Sequence, residues 1–193
     1  MKLEQGSALI IVDIQIDFCP GGALPVPDGD KIVPIANQYI RIFLKAGLPV
    51  FVTRDWHPFN HVSFKAEGGI WPPHCVQGAK GAAFHHDLFL PENVMIISKG
   101  NDPVEEAYSG FQGTSLSAQL NRRGIRRVFT GGLAVDYCVK MTILDALRHG
   151  FETILLEDAS KGVELAEGDT AMAISEMRQA GAQSIQIKDL ESD

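Results

Sequence analysis

Short, almost continuous apolar runs recur along the chain and restrict its fold more than any other feature. Residues 9–12 (LIIV) and 153–156 (TILL) are two of these runs, and neither alternates regularly between apolar and polar residues. A strand has this pattern when both of its faces are covered, as in a parallel sheet. The pattern predicts strands at residues 8–14, 48–54, 94–98, 127–132, 152–157 and 184–188.

Segments with helical periodicity lie between these runs, at residues 32–46, 115–123, 137–149 and 164–180. Each is followed by a glycine where glycine commonly ends a helix, namely Gly47, Gly124, Gly150 and Gly181. Strands that alternate with helices predict one α/β domain over residues 1–193, with three layers. We expect a doubly wound, mostly parallel sheet of about six strands with helices on both faces. Ligands bind outside the carboxyl ends of such strands, so residues that close a strand are candidates for function.

Composition narrows the class of partner. The 193 residues include 17 Lys plus Arg and 24 Asp plus Glu, a formal net charge of −7. An acidic chain without a basic block matches neither nucleic acid nor an anionic membrane surface. We identify no signal peptide and no apolar stretch near the roughly 18 residues that span a bilayer. Three cysteines do not suggest a disulfide framework, so we expect a cytoplasmic protein with reduced thiols. Because the charge fits neither nucleic acid nor a membrane surface, we expect its partner to be a small molecule.

Three residues near strand ends are suited to acid–base or nucleophilic chemistry. Asp13 directly follows an apolar run, where burial raises the pKa of a carboxyl and suits it to proton transfer, although a turn cap is the alternative. Lys99 closes a buried strand and either extends to solvent or points into the crevice. Cys138 begins a predicted helix, where N–H groups and the helix dipole favour a thiolate; the alternative is an ordinary buried cysteine.

An irregular segment at about residues 55–92 carries candidate metal ligands. Asp55 and His57 are two residues apart and point to the same side of an extended chain. His74 follows two prolines in the same segment. One carboxylate and two imidazoles suit Fe²⁺, Zn²⁺ or Mn²⁺ and leave positions open for water or substrate; solvated loop histidines are the alternative. A fourth ligand is available from two further residues, His61 and Glu67.

Together, Asp13, Lys99 and Cys138 resemble the catalytic triad of the isochorismatase-like superfamily of cysteine hydrolases. Within it, the metal motif makes the chain similar to the nicotinamidases, also called pyrazinamidases. Five motifs between residues 8 and 159 carry the resemblance. They are D-x-Q-x-D-F-x-P-G-G at 13–22, D-W-H-P at 55–58 with N-H-x-S-F at 60–64, W-P-x-H-C-V-Q-G at 71–78, Y-S-G-F at 108–111 and L-A-V-D-Y-C-V at 133–139.

The resemblance implies hydrolysis of nicotinamide, and of pyrazinamide, to the acid and ammonia through a thioester on Cys138, as a step of NAD salvage. It assigns proton transfer to Asp13 and charge balance to Lys99. The N–H groups of Ala134 and Cys138 would hold the oxyanion, with a cis peptide bond before Ala134. One divalent metal ion, Zn²⁺, Fe²⁺ or Mn²⁺, would bind the pyridine nitrogen. The residues implied around the ring are Phe18, Leu24, Trp71, Tyr108, Leu133 and Tyr137.

Two other interpretations fit fewer of these features. Non-haem iron oxygenases also use two histidines and one carboxylate, but usually on a β-sandwich barrel rather than on alternating strands and helices. A metal-binding redox sensor with three thiols would not need Asp13. The sequence contains no serine-hydrolase elbow, P-loop or dinucleotide-binding motif. It leaves the oligomeric state open, a homo-oligomer included.

Overall fold

Six parallel strands form one sheet within residues 1–190, the part of the chain that this computed structural model describes. They are β1 (Ser7–Val12), β2 (Val50–Asp55), β3 (Met95–Lys99), β4 (Arg127–Leu133), β5 (Glu152–Lys161) and β6 (Gln183–Ile185). Their order is β3-β2-β1-β4-β5-β6, and every neighbouring pair is parallel. The order reverses between β1 and β4, which makes the carboxyl ends of these two strands the expected place for a ligand.

The two faces of the sheet are covered by different α-helices, named α1 (Val33–Lys45), α2 (Leu116–Arg122), α3 (Lys140–Arg148) and α4 (Asp169–Gln179). Leu9 and Ile11 of β1 face a core cluster that contains Phe43 of α1. Ile10, on the opposite face, belongs to a second cluster with residues of the other three helices, including Ile143 of α3. Both faces of β1 are therefore buried, which confirms the predicted doubly wound α/β fold and explains the continuous apolar runs.

Two helices begin later than the sequence predicts. The predicted helix at 164–180 begins at Asp169, because Glu164 has a φ of 56° and its carboxylate accepts hydrogen bonds from the N–H groups of Gly168 and Thr170. The predicted helix at 137–149 becomes α-helical at Lys140, after a π-helical turn at Val135–Val139. The spacing of apolar residues does not report these local contacts, so it could not predict where the two helices begin.

Two strands end earlier than predicted. Strand β1 ends at Val12, because Asp13 has a φ of 50° and leaves the extended conformation. Strand β6 ends at Ile185, and a 3₁₀ turn at Ile187–Asp189 follows, with reciprocal capping hydrogen bonds between Gln186 and Asp189.

The connection between β2 and β3 contains short 3₁₀ turns at Lys65–Glu67 and Lys80–Ala82. Isolated bridges order this segment: His57, two residues after the end of β2, pairs with Val76, and Phe84 pairs with Gln15, which follows β1. That the segment at 55–92 is a metal-binding insertion stays a prediction. Among the helices of the described residues, none combines the length and apolar character that crossing a bilayer requires.

Candidate active site

The buried ammonium group of Lys99 is the centre of the site. Lys99 ends β3, and its Nζ atom lies 2.9 Å from Asp13 Oδ2 and 3.4 Å from Cys138 Sγ. It also donates hydrogen bonds to Asp55 Oδ1 and to the carbonyl oxygen of Ala107. Burial alone would lower the pKa of Lys99, but Asp13 and Asp55 outweigh it and hold the pKa well above its usual value. Lys99 therefore points into the crevice as a cation rather than to solvent.

Asp13 is fully buried directly after β1. Its Oδ1 atom accepts a hydrogen bond of 2.5 Å from the hydroxyl of Thr53. Its Oδ2 atom has the ion pair with Lys99 but no directional hydrogen bond among the described residues. Burial raises the pKa of Asp13, and Lys99 offsets part of that rise. One carboxylate oxygen of Asp13, one carboxylate oxygen of Asp55 and the Sγ atom of Cys138 all lie within 4.8 Å of one another. The carboxylate of Asp13 is therefore near enough to the thiol to take its proton.

Cys138 lies in the π-helical turn that follows β4. Burial raises the pKa of its thiol well above the usual value; Lys99 works in the opposite direction, and the carboxylates of Asp13 and Asp55 raise the pKa further. Burial and the two carboxylates therefore oppose the thiolate that a helix start would favour, while Lys99 supports it. The peptide bond Leu133–Ala134, just before this turn, is cis, as the resemblance implies.

The side chains of Asp55, His57 and His74 form a second cluster beside Lys99. The Nε2 atoms of His57 and His74 lie 3.5 Å and 3.9 Å from Asp55 Oδ2. The Nδ1 atoms face the carbonyl oxygens of Gly100, at 3.1 Å, and Pro72, at 2.8 Å. A carbonyl only accepts, so each Nδ1 donates to its carbonyl, and Nε2 is the nitrogen of each ring that is left to bind a metal.

This cluster fits a divalent metal ion. One carboxylate oxygen and two imidazole nitrogens converge on one point, and both imidazoles are oriented by a carbonyl, as is usual for metal-binding histidines. Burial would raise the pKa of Asp55, but Lys99 and then His57 hold it below its usual range. Burial lowers the pKa of His74, which also favours the neutral ring that a metal requires.

The two candidates for a fourth ligand do not point into this cluster in the described residues. His61 is buried with its ring centroid 4.1 Å from that of His57. Its Nδ1 atom accepts a hydrogen bond from the hydroxyl of Ser63, at 2.7 Å, and its Nε2 atom donates to the carbonyl oxygen of Glu105, at 3.1 Å. Glu67 is exposed on its 3₁₀ turn. Neither belongs to the ligand cluster formed by Asp55, His57 and His74 within residues 1–190.

An apolar pocket opens over Cys138 and over Asp55 and His74 of the candidate metal cluster, and all six residues implied around the ring line it. The indole of Trp71 donates a hydrogen bond of 2.9 Å to the hydroxyl of Tyr108, and packs edge-on against Tyr137 with ring centroids 5.4 Å apart. Two further residues of the lining, Val26 and Val163, are not predicted from the sequence. Both are in loops that only the tertiary structure brings to the pocket.

Sequence reasoning also misses Thr53, which contacts Asp13. Thr53 lies inside the apolar strand β2 and is fully buried. A buried hydroxyl needs a hydrogen-bond partner, so a threonine within a buried run was an available signal for a neighbouring polar site.

Comparison with known proteins places these features in a family. The family model described as Isochorismatase domain matches residues 7–189. The chain is 39% identical to a nicotinamidase of Escherichia coli (strain K12), with 95% of this chain and 96% of the relative covered. A crystal structure of a pyrazinamidase of Pyrococcus horikoshii in complex with zinc is 52% identical, with a TM-score of 0.91 over 94% of this chain and 99% of that one. PnC1 from L. infantum in complex with nicotinate is 35% identical, with a TM-score of 0.88 over 98% and 96%.

Proposed function

The chain belongs to the isochorismatase family, and on that premise we propose that it is a nicotinamidase, which hydrolyses nicotinamide to nicotinate and ammonia through a thioester on Cys138. One observation carries the proposal. Lys99 Nζ contacts a carboxylate and a thiol at once, beneath a pocket that also contains Asp55 and His74 of the metal-binding cluster. Such an arrangement unites a base, a nucleophile and a ring-binding site.

The covalent step begins with transfer of the thiol proton from Cys138 to Asp13. The thiolate then attacks the carboxamide carbon, and the C–N bond breaks as Asp13 returns the proton to the leaving ammonia. Asp13 then deprotonates a water that attacks the thioester carbon; the C–S bond breaks, Asp13 returns the proton to Cys138, and nicotinate is released. The ammonium of Lys99 keeps its charge throughout and compensates the negative charge that passes between Asp13 and Cys138.

The oxyanion of the tetrahedral intermediate is assigned to the N–H groups of Ala134 and Cys138. Both residues line the pocket, and both belong to the chain segment that leaves β4. Backbone donors fixed in this way stabilise the charge that develops on the carbonyl oxygen during attack.

A divalent ion held by Asp55, His57 and His74 would coordinate the pyridine nitrogen and orient the ring. Zinc has the most direct support, because the similar pyrazinamidase of P. horikoshii was crystallised with it. Fe²⁺ and Mn²⁺ suit the same donor set. His61 serves as a fourth ligand only if it gives up its contacts with Ser63 and Glu105.

Phe18, Leu24, Trp71, Tyr108, Leu133 and Tyr137 are proposed to surround the pyridine ring. Pyrazinamide has a ring of the same size with a nitrogen at the corresponding position, so the same pocket accepts it. We assign the activity to NAD salvage in the cytoplasm; the three free cysteines are compatible with a reducing compartment.

Ammonia release from nicotinamide tests the proposal. Purified protein is assayed as isolated, after chelation, and after addition of Zn²⁺, Fe²⁺ or Mn²⁺. We expect chelation to abolish release and metal addition to restore it. An absence of release with every metal would exclude nicotinamide as the substrate.

A further inference from the structure

Gln15 is a fully buried polar residue of the first motif that the proposed mechanism does not use. All three hydrogen bonds of its side chain go to backbone groups. Its Oε1 atom accepts from the N–H of Asp55 at 2.7 Å, and its Nε2 atom donates to the carbonyl oxygens of Asp55, at 2.8 Å, and Ala82, at 2.9 Å. The side chain thus forms hydrogen bonds with both the N–H and the carbonyl oxygen of Asp55, a residue of the candidate metal cluster.

These hydrogen bonds take the place of backbone hydrogen bonds that β1 and β2 would form if their pairing continued past Asp13. The N–H of Asp13 donates to the carbonyl oxygen of Thr53, as in a parallel ladder. In a continued ladder, the N–H of Asp55 would donate to the carbonyl oxygen of Asp13. That oxygen instead accepts the N–H of Gln15 at 2.8 Å, because Asp13 turns away with a φ of 50°. The amide of Gln15 therefore supplies the partner that β1 no longer offers to the end of β2.

The orientation of Asp55 matters because its two oxygens have different tasks. Oδ1 accepts from Lys99, while Oδ2 faces the Nε2 atoms of His57 and His74. A rotation of the Asp55 side chain about the contact between Oδ1 and Lys99 would turn Oδ2 away from the two imidazoles. We propose that Gln15 is a positioning residue that holds Asp55 in the orientation required for metal binding. This inference rests on the proposed function, since it assumes that the cluster binds metal.

Zinc affinity of the whole protein is the direct test, measured by competition with a chromogenic chelator and without any substrate. Gln15→Met keeps the length of the side chain but loses its hydrogen bonds, and Gln15→Asn keeps the amide but is too short to reach. We expect both variants to bind zinc about 10- to 100-fold more weakly, as is usual when a group that orients a ligand is lost. The Asn variant decides the test if the Met variant does not fold.

Gln77→Met is the matched control. The Gln77 side chain donates to the carbonyl oxygen of Trp56 at 2.9 Å, next to Asp55 in the chain, but from an exposed position. We expect its zinc Kd to equal that of the wild type. Equal zinc affinity of the wild type and the Gln15 variants would overturn the inference.

Two further readouts separate positioning of Asp55 from a general structural role. At saturating zinc, we expect kcat of the Gln15 variants to stay within about threefold of the wild type, since Asp13 and Cys138 remain in place. Alkylation of Cys138 in metal-free protein should be unchanged. A parallel fall in zinc affinity, kcat and alkylation rate would overturn the inference. A wild type that binds no zinc would overturn the proposed metal centre, and the inference with it, whatever its activity on nicotinamide.

Discussion

The Nζ atom of Lys99 lies 3.4 Å from the Sγ atom of Cys138, and both side chains are buried. The same ammonium pairs with the carboxylates of Asp13 and Asp55. One cation therefore links the proposed nucleophile, its proposed base and the candidate metal cluster of Asp55, His57 and His74. Its removal would affect folding as well as catalysis.

Lys99→Met should lower the free energy of unfolding at pH 7 by about 3–5 kcal/mol, because two buried carboxylates lose their counter-charge. The loss should shrink as the pH falls. Burial already raises the pKa of Asp13, and removing Lys99 raises it further, so the folded variant binds a proton more tightly than the unfolded chain and gains stability on acidification. Urea unfolding of metal-free protein at pH 5 and pH 7 measures both effects.

The control for that variant is Lys140→Met. Lys140 forms a more exposed ion pair with Glu176 at 3.1 Å. We expect a change below about 1 kcal/mol, as for other surface pairs. Equal losses for the two lysine variants would contradict the central role of Lys99.

Thr53→Val should move the acidic limb of the pH profile of kcat/KM to higher pH. The hydroxyl of Thr53 donates to Asp13 and lowers the pKa of that carboxyl, so its loss raises the pKa at which the base becomes protonated. We expect a shift of about half a pH unit to one unit, which corresponds to the loss of one hydrogen bond. A shift towards lower pH, or none, would contradict the role of Asp13 as the base.

His57→Ala and His74→Ala should each remove the metal from the purified protein, because each deletes one of three converging ligand atoms. Elemental analysis measures the metal content directly. The control is His149→Ala, which replaces an exposed histidine outside every candidate metal cluster of the described residues and should leave the content unchanged. Full occupancy in either of the first two variants would exclude that histidine from the ligand set.

Tyrosine ionisation should require unusually alkaline conditions in the folded protein. The chain has three tyrosines, Tyr39, Tyr108 and Tyr137, and burial raises the pKa of each. The folded state therefore holds the phenolic protons more tightly than the unfolded chain, a stabilisation present below about pH 10 and lost as the pH rises through the folded pKa values. Absorbance at alkaline pH should show ionisation midpoints above those of the guanidinium-unfolded protein. A tyrosine that ionises at its ordinary pKa would contradict the burial described here.

Much of this account is accessible from the sequence because apolar runs and strand ends are local signals. The runs predict the strands of the sheet, and the residues that follow them, Asp13 and Lys99 among them, prove to lie together. The motifs that resemble the family add the residues of the pocket and the cis bond before Ala134.

What the sequence does not predict depends on contacts between distant segments. Thr53 and Gln15 act through hydrogen bonds to residues about 40 positions away. Val163 reaches the pocket because the carboxylate of Asp136 accepts the N–H of Val163 at 3.0 Å. Burial, and to a smaller extent the carboxylates of Asp13 and Asp55, raise the pKa of the Cys138 thiol, which a local argument about the helix start does not include.

Mass spectrometry of protein quenched in acid during turnover tests the central claim most directly. With nicotinamide as substrate, we predict a mass increase of one nicotinoyl group, located on the peptide that contains Cys138. The adduct and the activity should both be absent from Cys138→Ala, while Cys19→Ala, which replaces a cysteine outside the site, keeps both. Turnover by Cys138→Ala at the wild-type rate, or an adduct on another residue, would contradict the account.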